Sequence, residues 1–247
     1  MKTILRFVTL LLSLLLLCSC TTSLSYKEGK YVNPKTNVSY VAAPTPYQAI
    51  AYAPEKVAKV KQKGLDDVLL YAIEGMDAEK WLCSADYTVF YADTEKLPAL
   101  WEMNVRKVYV NQTINLSYTV ASFVDAEVIS QLQGIYREGA SFPVSELEEG
   151  MKFDTYDLVF ESDTLRYCLT YRRYEQEILI YEAIDDPTNF TPRYTGVEVT
   201  TEDYRYVKDG VEMVEHLAVY HFGHALMYNR ESGLCYPVGE LISDYLD

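Results

Sequence analysis

His216, His221 and His224 fall within nine residues, with Glu215 beside the first and Cys235 a short way downstream. Imidazole and thiolate are the ligands that tetrahedral zinc takes, so this segment is the metal candidate of the chain. On a strand, His216 and His224 share one face and His221 takes the other; on a helix only His221 and His224 are neighbours. A single regular element therefore does not converge three ligands, although Gly223 is a place where a bulge would re-aim a side chain. The spacing favours strand histidines meeting ordinary hydrogen-bonding needs, with no cofactor and zinc as the exception to test. Cys235 with one of these histidines also forms a formal nucleophile and base pair, but none of the local signatures of cysteine hydrolases surrounds it.

Other chemistry is thinner still. The chain has no GxSxG elbow, no HExxH and no phosphate-cradling glycine loop. Acidic pairs at Glu148-Glu149, Asp185-Asp186 and Glu202-Asp203 read as solvated loop charges, since the alternating calcium-loop pattern is missing. Glycosidase chemistry would need two carboxyls facing each other across a cleft. No catalytic residue is assigned.

The elements that must carry these residues are mostly strands. Val38 to Ala43 is a first strand ended by Pro44 and Pro46. Glu55 to Lys63, with Lys56, Lys59, Lys61 and Lys63 around Val57 and Val60, reads as a solvated helix face ended by Gly64. Asp67 to Ile73 and Tyr87 to Tyr91 are strand-like, with a short helix capped by Asp77 between them. Val108 to Val110 and Ile114 to Val120 flank Asn111-Gln112 as a hairpin, the second run placing Ile114, Leu116, Tyr118 and Val120 on a buried face. The clearest helix covers about 125–138: Asp125 is its N-cap, Val128, Ile129, Leu132, Ile135 and Tyr136 form its stripe, Val124 and Ile129 staple its start, and Gly139 stops it. Residues 140–152 are a connector with one helical turn. Runs at 156–160, 165–171 and 178–180 make a β-meander in the C-terminal half, and Asp209-Gly210 turns a hairpin between Tyr204 to Val207 and Val211 to Leu217. A strand around Ala218 to Tyr228 reaches a turn at Glu231-Ser232-Gly233, and Val238, Leu241, Ile242, Tyr245 and Leu246 close the chain at helical spacing. These elements predict an α+β fold, mainly antiparallel sheet with one amphipathic helix packed on it.

The chain opens with Lys2 and Arg6, an apolar run from Phe7 to Leu17, and Leu17-Cys18-Ser19-Cys20. The run is too short to span a bilayer, and its three-part order is that of a secretory signal peptide. Leu17-Cys18-Ser19-Cys20 resembles the lipobox of bacterial membrane lipoproteins, with Cys18 where a smaller residue is more usual. The resemblance covers the signal segment alone and implies lipidation of Cys20, which becomes the mature N-terminus. Two acyl chains suffice to hold a protein on a membrane. The division that follows is 1–19 signal peptide, 20–37 polar tether, and 38–247 globular domain, with any subdomain boundary near 140–152. Four Asn-x-Ser/Thr sequons, at Asn37, Asn111, Asn115 and Asn189, are coincidental in that setting.

Without Lys2 and Arg6 the 22 basic residues fall to 20 against 36 acidic ones, a formal net charge of −16. Such a surface repels nucleic acid. Cys83, Cys168 and Cys235 are an odd set with no CxxC, expected as buried apolar residues. Tyrosine is over-represented, 23 against 8 Phe and 2 Trp, which suits half-buried strand faces. The expectation is a lipid-anchored module on the extracytoplasmic face of a bacterial membrane, non-catalytic, binding a protein or carbohydrate partner of the cell envelope. The alternatives are an envelope enzyme, hydrolytic or metal-dependent, using the His216, His221, His224 and Cys235 region, and a solute-binding lipoprotein of a transporter. The second lacks the repeated strand and helix alternation of two α/β lobes.

Overall fold

The computed structural model describes residues 21–61, 67–113 and 116–246, and the chain in them divides into two compact units. The first holds residues up to Ala43 and Tyr47–Leu97; the second holds Pro44–Pro46 and everything from Pro98 onward. The boundary lies at Leu97 and Pro98 rather than near 140–152. Residues 140–152 carry Phe142 and Val144 into the core of the second unit, so they cannot serve as a hinge between folding units.

The first unit is a small barrel. Its strands are β1 (Thr22–Lys27), β2 (Lys30–Val32), β3 (Ser39–Ala42), the short β4 (Tyr47–Ala49), β5 (Tyr52–Val60), β6 (Val68–Ile73), β7 (Trp81–Ser84) and β8 (Val89–Ala92). Seven of them close in the order β1-β2-β3-β8-β7-β6-β5, the ring completed by parallel pairing of β1 with β5. Leu24, Tyr40, Ala58, Val60, Leu70, Leu82 and Phe90 fill the interior.

Three sequence expectations are corrected here. Residues 21–37 of the expected polar tether are folded, because Leu24 is buried and its strand is the one that closes the ring. The basic island is strand, not helix: Ala58 and Val60 alternate inward while Lys59 points out to Asp67 at 2.7 Å, a period of two that the lysines obscured. Pro54 is accommodated because the β5–β6 ladder shifts register between Tyr52 and Lys56. Lys63 and Gly64 lie outside the described residues. Asp77 starts a turn, and the expected helix is replaced by β7, whose four residues are all buried. Leu82 enters the barrel interior, while Trp81 takes the other face of the strand and stacks on Tyr91 at 5.8 Å, so the run is buried on both faces and leaves a helix no solvent side.

The second unit contains β9 (Lys107–Thr113), β10 (Ser117–Phe123), α1 (Ala126–Glu138), β11 (Phe142–Pro143), β12 (Phe153–Glu161), β13 (Leu165–Tyr174), β14 (Leu179–Ile184), β15 (Glu198–Lys208), β16 (Val211–His221), β17 (Ala225–Asn229) and β18 (Leu234–Pro237). One antiparallel sheet runs β10-β9-β12-β13-β17-β18-β11, and a second runs β14-β16-β15. Phe142, Tyr174, Leu226 and Cys235 from the first meet Ile180, Ala218, Tyr220 and Phe222 from the second region of chain to form the core.

The fold is therefore essentially all-β, not α+β. The helix is present where expected, capped by Asp125 and burying Ile129 and Leu132, but among the described residues it stands beside eighteen strands. Val124 is 68% exposed, so the hydrophobic staple is not a buried contact. Gly139 ends the helix in extended conformation at φ −68°, and a Cβ there would lie 2.5 Å from the Ile135 carbonyl oxygen.

The meander is also corrected. β12 and β13 pair as expected, but β14 leaves them and pairs with β16. The break at Gly223, φ +72°, separates β16 from β17 and sends the two halves of the expected 218–228 strand into different sheets. In the β9–β10 hairpin, Asn111 and Gln112 stay within β9, and Leu116, Tyr118 and Val120 are exposed rather than buried. Ile114 is outside the described residues. The chain ends in a 3-10 turn, Ser243–Tyr245, in place of an α-helix.

Candidate functional site

A histidine site would require His216, His221 and His224 to converge, and the structure gives each its own surroundings. His216 and His221 lie five residues apart on β16 and so point to opposite faces. His216 Nδ1 pairs with Asp203 at 2.7 Å across the β15–β16 ladder. His221 sits between Thr200, 3.0 Å from Nε2, and Glu177, 3.3 Å from Nδ1. His224 lies in the link to β17, where its carbonyl oxygen accepts from the Tyr174 amide. Among the described residues, no three His, Cys, Asp or Glu side chains are grouped to hold a metal ion. Cys235 is fully buried in β18, and burial pushes its thiol up to about 11. A thiol held protonated at neutral pH is a poor nucleophile.

Cys83 and Cys168 have the same character, each raised to about 11 by burial, and none of the three is bridged. Cys20 is outside the described residues.

A polar site lies elsewhere, where the 3-10 turn Val144–Glu146 and the loop before β15 approach β14. It is a cavity of about 710 Å³ lined by Glu146, Glu148, Leu179, Ile180, Tyr181, Glu182 and Arg193. Its wall is a hydrogen-bonded chain. Arg193 donates from Nη2 to Glu146 Oε1 at 2.7 Å, and the Tyr194 hydroxyl donates to Glu146 Oε2 at 2.8 Å. The Arg193 amide donates to the Tyr220 hydroxyl at 2.8 Å, which in turn donates to Glu182 Oε2 at 2.6 Å.

Tyr194 and Tyr220 can play this part because their rings belong to the core. They pack edge to face at 5.0 Å, and both contact Phe222. Burial raises the pKa of both hydroxyls, and the Glu146 and Glu182 carboxylates raise it further, so both remain protonated donors. The bond to Glu146 holds the Arg193 guanidinium in its charged form. Both oxygens of Glu146 are occupied, so it is a clamp holding the loop to the turn rather than a free base. Glu182 and Glu148 offer carboxylate oxygens to hydroxyl or ammonium donors entering the cavity.

A smaller cavity of about 220 Å³ is lined by Thr113, Thr155, Tyr156, Asp157 and Arg230. There Arg230 Nε donates to Thr170 Oγ1 at 2.7 Å, and Thr113 donates to Asp157 at 3.2 Å. These contacts tie adjacent strands together.

Sequence reasoning passed over Glu146, Glu182, Arg193, Tyr194 and Tyr220. They come from four segments spanning residues 146 to 220, and none carries a local motif. The sequence marked this region as the connector 140–152 with one helical turn and as the acidic pair Glu148-Glu149, not as a site. No family model, curated protein sequence or solved structure matches the chain.

Proposed function

We propose that the protein is a lipid-anchored module displayed on the extracytoplasmic face of a bacterial membrane, where its folded part binds a partner without catalysing a reaction. The observation that carries this reading is the sequence Leu17-Cys18-Ser19-Cys20 behind a short basic and apolar segment. The strongly acidic balance of the mature chain argues against nucleic acid as the partner.

The cavity at Glu146, Glu182 and Arg193 supports the binding half of the proposal. Its volume falls within the range of small-molecule sites, roughly 300–1,000 Å³. A carboxylate-bearing wall with Tyr181 half exposed beside it suits a hydroxyl-rich ligand such as a carbohydrate, whose hydroxyls donate to Glu182 while its ring faces pack on tyrosine.

Labelling of growing cells with a palmitate analogue tests the anchor. The full-length protein should take up label and sediment with membranes, and Cys20→Ser should lose the label and leave the membrane fraction. Label retained in Cys20→Ser, or absent from the unaltered chain, would falsify the anchoring proposal.

A further inference from the structure

The β15–β16 hairpin extends well beyond its support. β14 pairs with β16 only from His221 to His216, whereas the β15–β16 ladder continues to Lys208 and Val211. Beyond His216 the two strands form a ribbon on their own, with Tyr204, Val207, Val211, Met213 and Val214 exposed. A two-stranded ribbon in water is marginal by itself. β15 is also the outer strand of its sheet along all eleven residues, with no proline, and with an unbroken register to β16. An edge of that length is a template for another strand.

Which groups that edge offers follows from the turn. Asp209 and Gly210 have φ +52° and +78°, the pattern of a type I′ turn, which makes Lys208 and Val211 a hydrogen-bonded pair. Bonding alternates along an antiparallel ladder, so Tyr206, Tyr204, Glu202 and Thr200 direct their amides and carbonyls to β16. Thr201, Asp203, Arg205 and Val207 direct theirs to the free edge.

We infer that this edge pairs with the same edge of a second copy of the chain, antiparallel and centred on Tyr204. A two-fold axis normal to the sheet keeps every side chain on its own face, so outward-bonding residues meet outward-bonding residues. The register must then be centred on a single residue. Centring on Asp203 or Arg205 sets that charge against itself. Centring on Tyr204 sets Asp203 opposite Arg205 of the second copy, twice, and Thr201 opposite Val207.

The two Tyr204 rings meet on the axis as a non-hydrogen-bonded pair, where cross-strand side chains lie closest. Glu202 faces Tyr206, and Thr200 faces Lys208. The ladder runs from Thr200 to Lys208, contributes about eight backbone hydrogen bonds, and joins two three-stranded sheets into one of six. Charges ordinarily guard an edge by repelling a second copy. Here they alternate in sign, so they oppose the registers centred on Asp203 and Arg205 and favour the one centred on Tyr204.

Within a copy, Arg205 already leans toward Asp203 at 3.8 Å, and Asp203 also holds His216. Asp203 is half exposed, so a second guanidinium can reach it from the edge.

The test uses the full chain in detergent. Sedimentation should show a concentration-dependent dimer, and mild oxidation of Tyr204→Cys should give a covalent dimer, the two Cα atoms being about 4.5 Å apart in such a pair. Tyr206→Cys should not cross-link, since its copies lie about 13 Å apart along the strand. Asp203→Arg and Arg205→Asp should each weaken dimerisation about tenfold or more, and the double reversal should restore it. A monomer at all concentrations overturns the inference. So does cross-linking through Tyr206→Cys in place of Tyr204→Cys, or a dimer indifferent to both single reversals.

Discussion

Tyr220 carries more than its ring. Its hydroxyl accepts from the Arg193 amide and donates to Glu182, so Tyr220→Phe leaves two groups without their partner. The expected cost is about 1–3 kcal/mol, against about 1 kcal/mol for Tyr194→Phe, where Arg193 still holds Glu146. Denaturant titration of both variants checks the order. The thiols make a separate prediction. Cys83, Cys168 and Cys235, each near 11, should resist alkylation at pH 8 in the folded protein and react together on unfolding, as peptide mass spectrometry would read. Asp86 adds a pH-dependent test. The Ser84 hydroxyl donates to its carboxylate and holds its pKa below the usual value, with the Thr88 amide adding to the effect. A depressed carboxyl contributes stability above its unfolded value and loses it as pH falls through the folded one. Ser84→Ala should therefore be less stable than the unaltered protein at neutral pH, with the gap narrowing in acid. Equal gaps at pH 7 and in acid would contradict this assignment.

Among the elements, those with a local physical cause were legible in the sequence. Asp125 accepts from the Glu127 and Val128 amides as an N-cap must, and Asp125→Ala should cost about 1 kcal/mol by thermal or denaturant unfolding. Gly139→Ala should cost as much or more, because its Cβ meets the Ile135 carbonyl rather than because of φ. The Asp209-Gly210 turn and the turn before Leu234 were legible for the same reason: a few adjacent residues specify them. The misread segments owe their state to distant partners. Thr22–Lys27 is a strand because β5 and β2 flank it, and nothing in Thr-Ser-Leu-Ser-Tyr-Lys announces that. Val57 and Val60 have helical spacing, yet Ala58 and Val60 are the pair that faces the barrel interior. Leu116, Tyr118 and Val120 alternate as a buried face would and are exposed, so alternation alone did not tell which side the core lay on. The clamp at Glu146 was invisible because its five residues are collected by tertiary packing.

For the molecule as a whole, the division into a barrel unit and a two-sheet unit makes its own prediction. Deleting Thr22–Lys27 removes the strand that closes the barrel and exposes the edges of β2 and β5. Hydrogen exchange should then show lost protection across Tyr52–Val60 and Val68–Ile73, while Phe153–Glu161 and Leu165–Tyr174, in the other unit, stay protected. Uniform loss through both units would mean they fold as one.

The closing strand has a mechanical meaning as well. Thr22 is two residues after Cys20, which is at most about 7 Å of chain. The lipid proposed for Cys20 would therefore leave little slack, and tension between a membrane and a bound partner would enter the described fold through β1. That strand is held on one side by Ser25, Tyr26 and Lys27 against β2, and on the other by Thr22, Ser23 and Leu24 against β5. With the chain anchored as proposed, force along the axis of β1 would load both sets of bonds together, and the barrel would be the first part of the described fold to feel a pull.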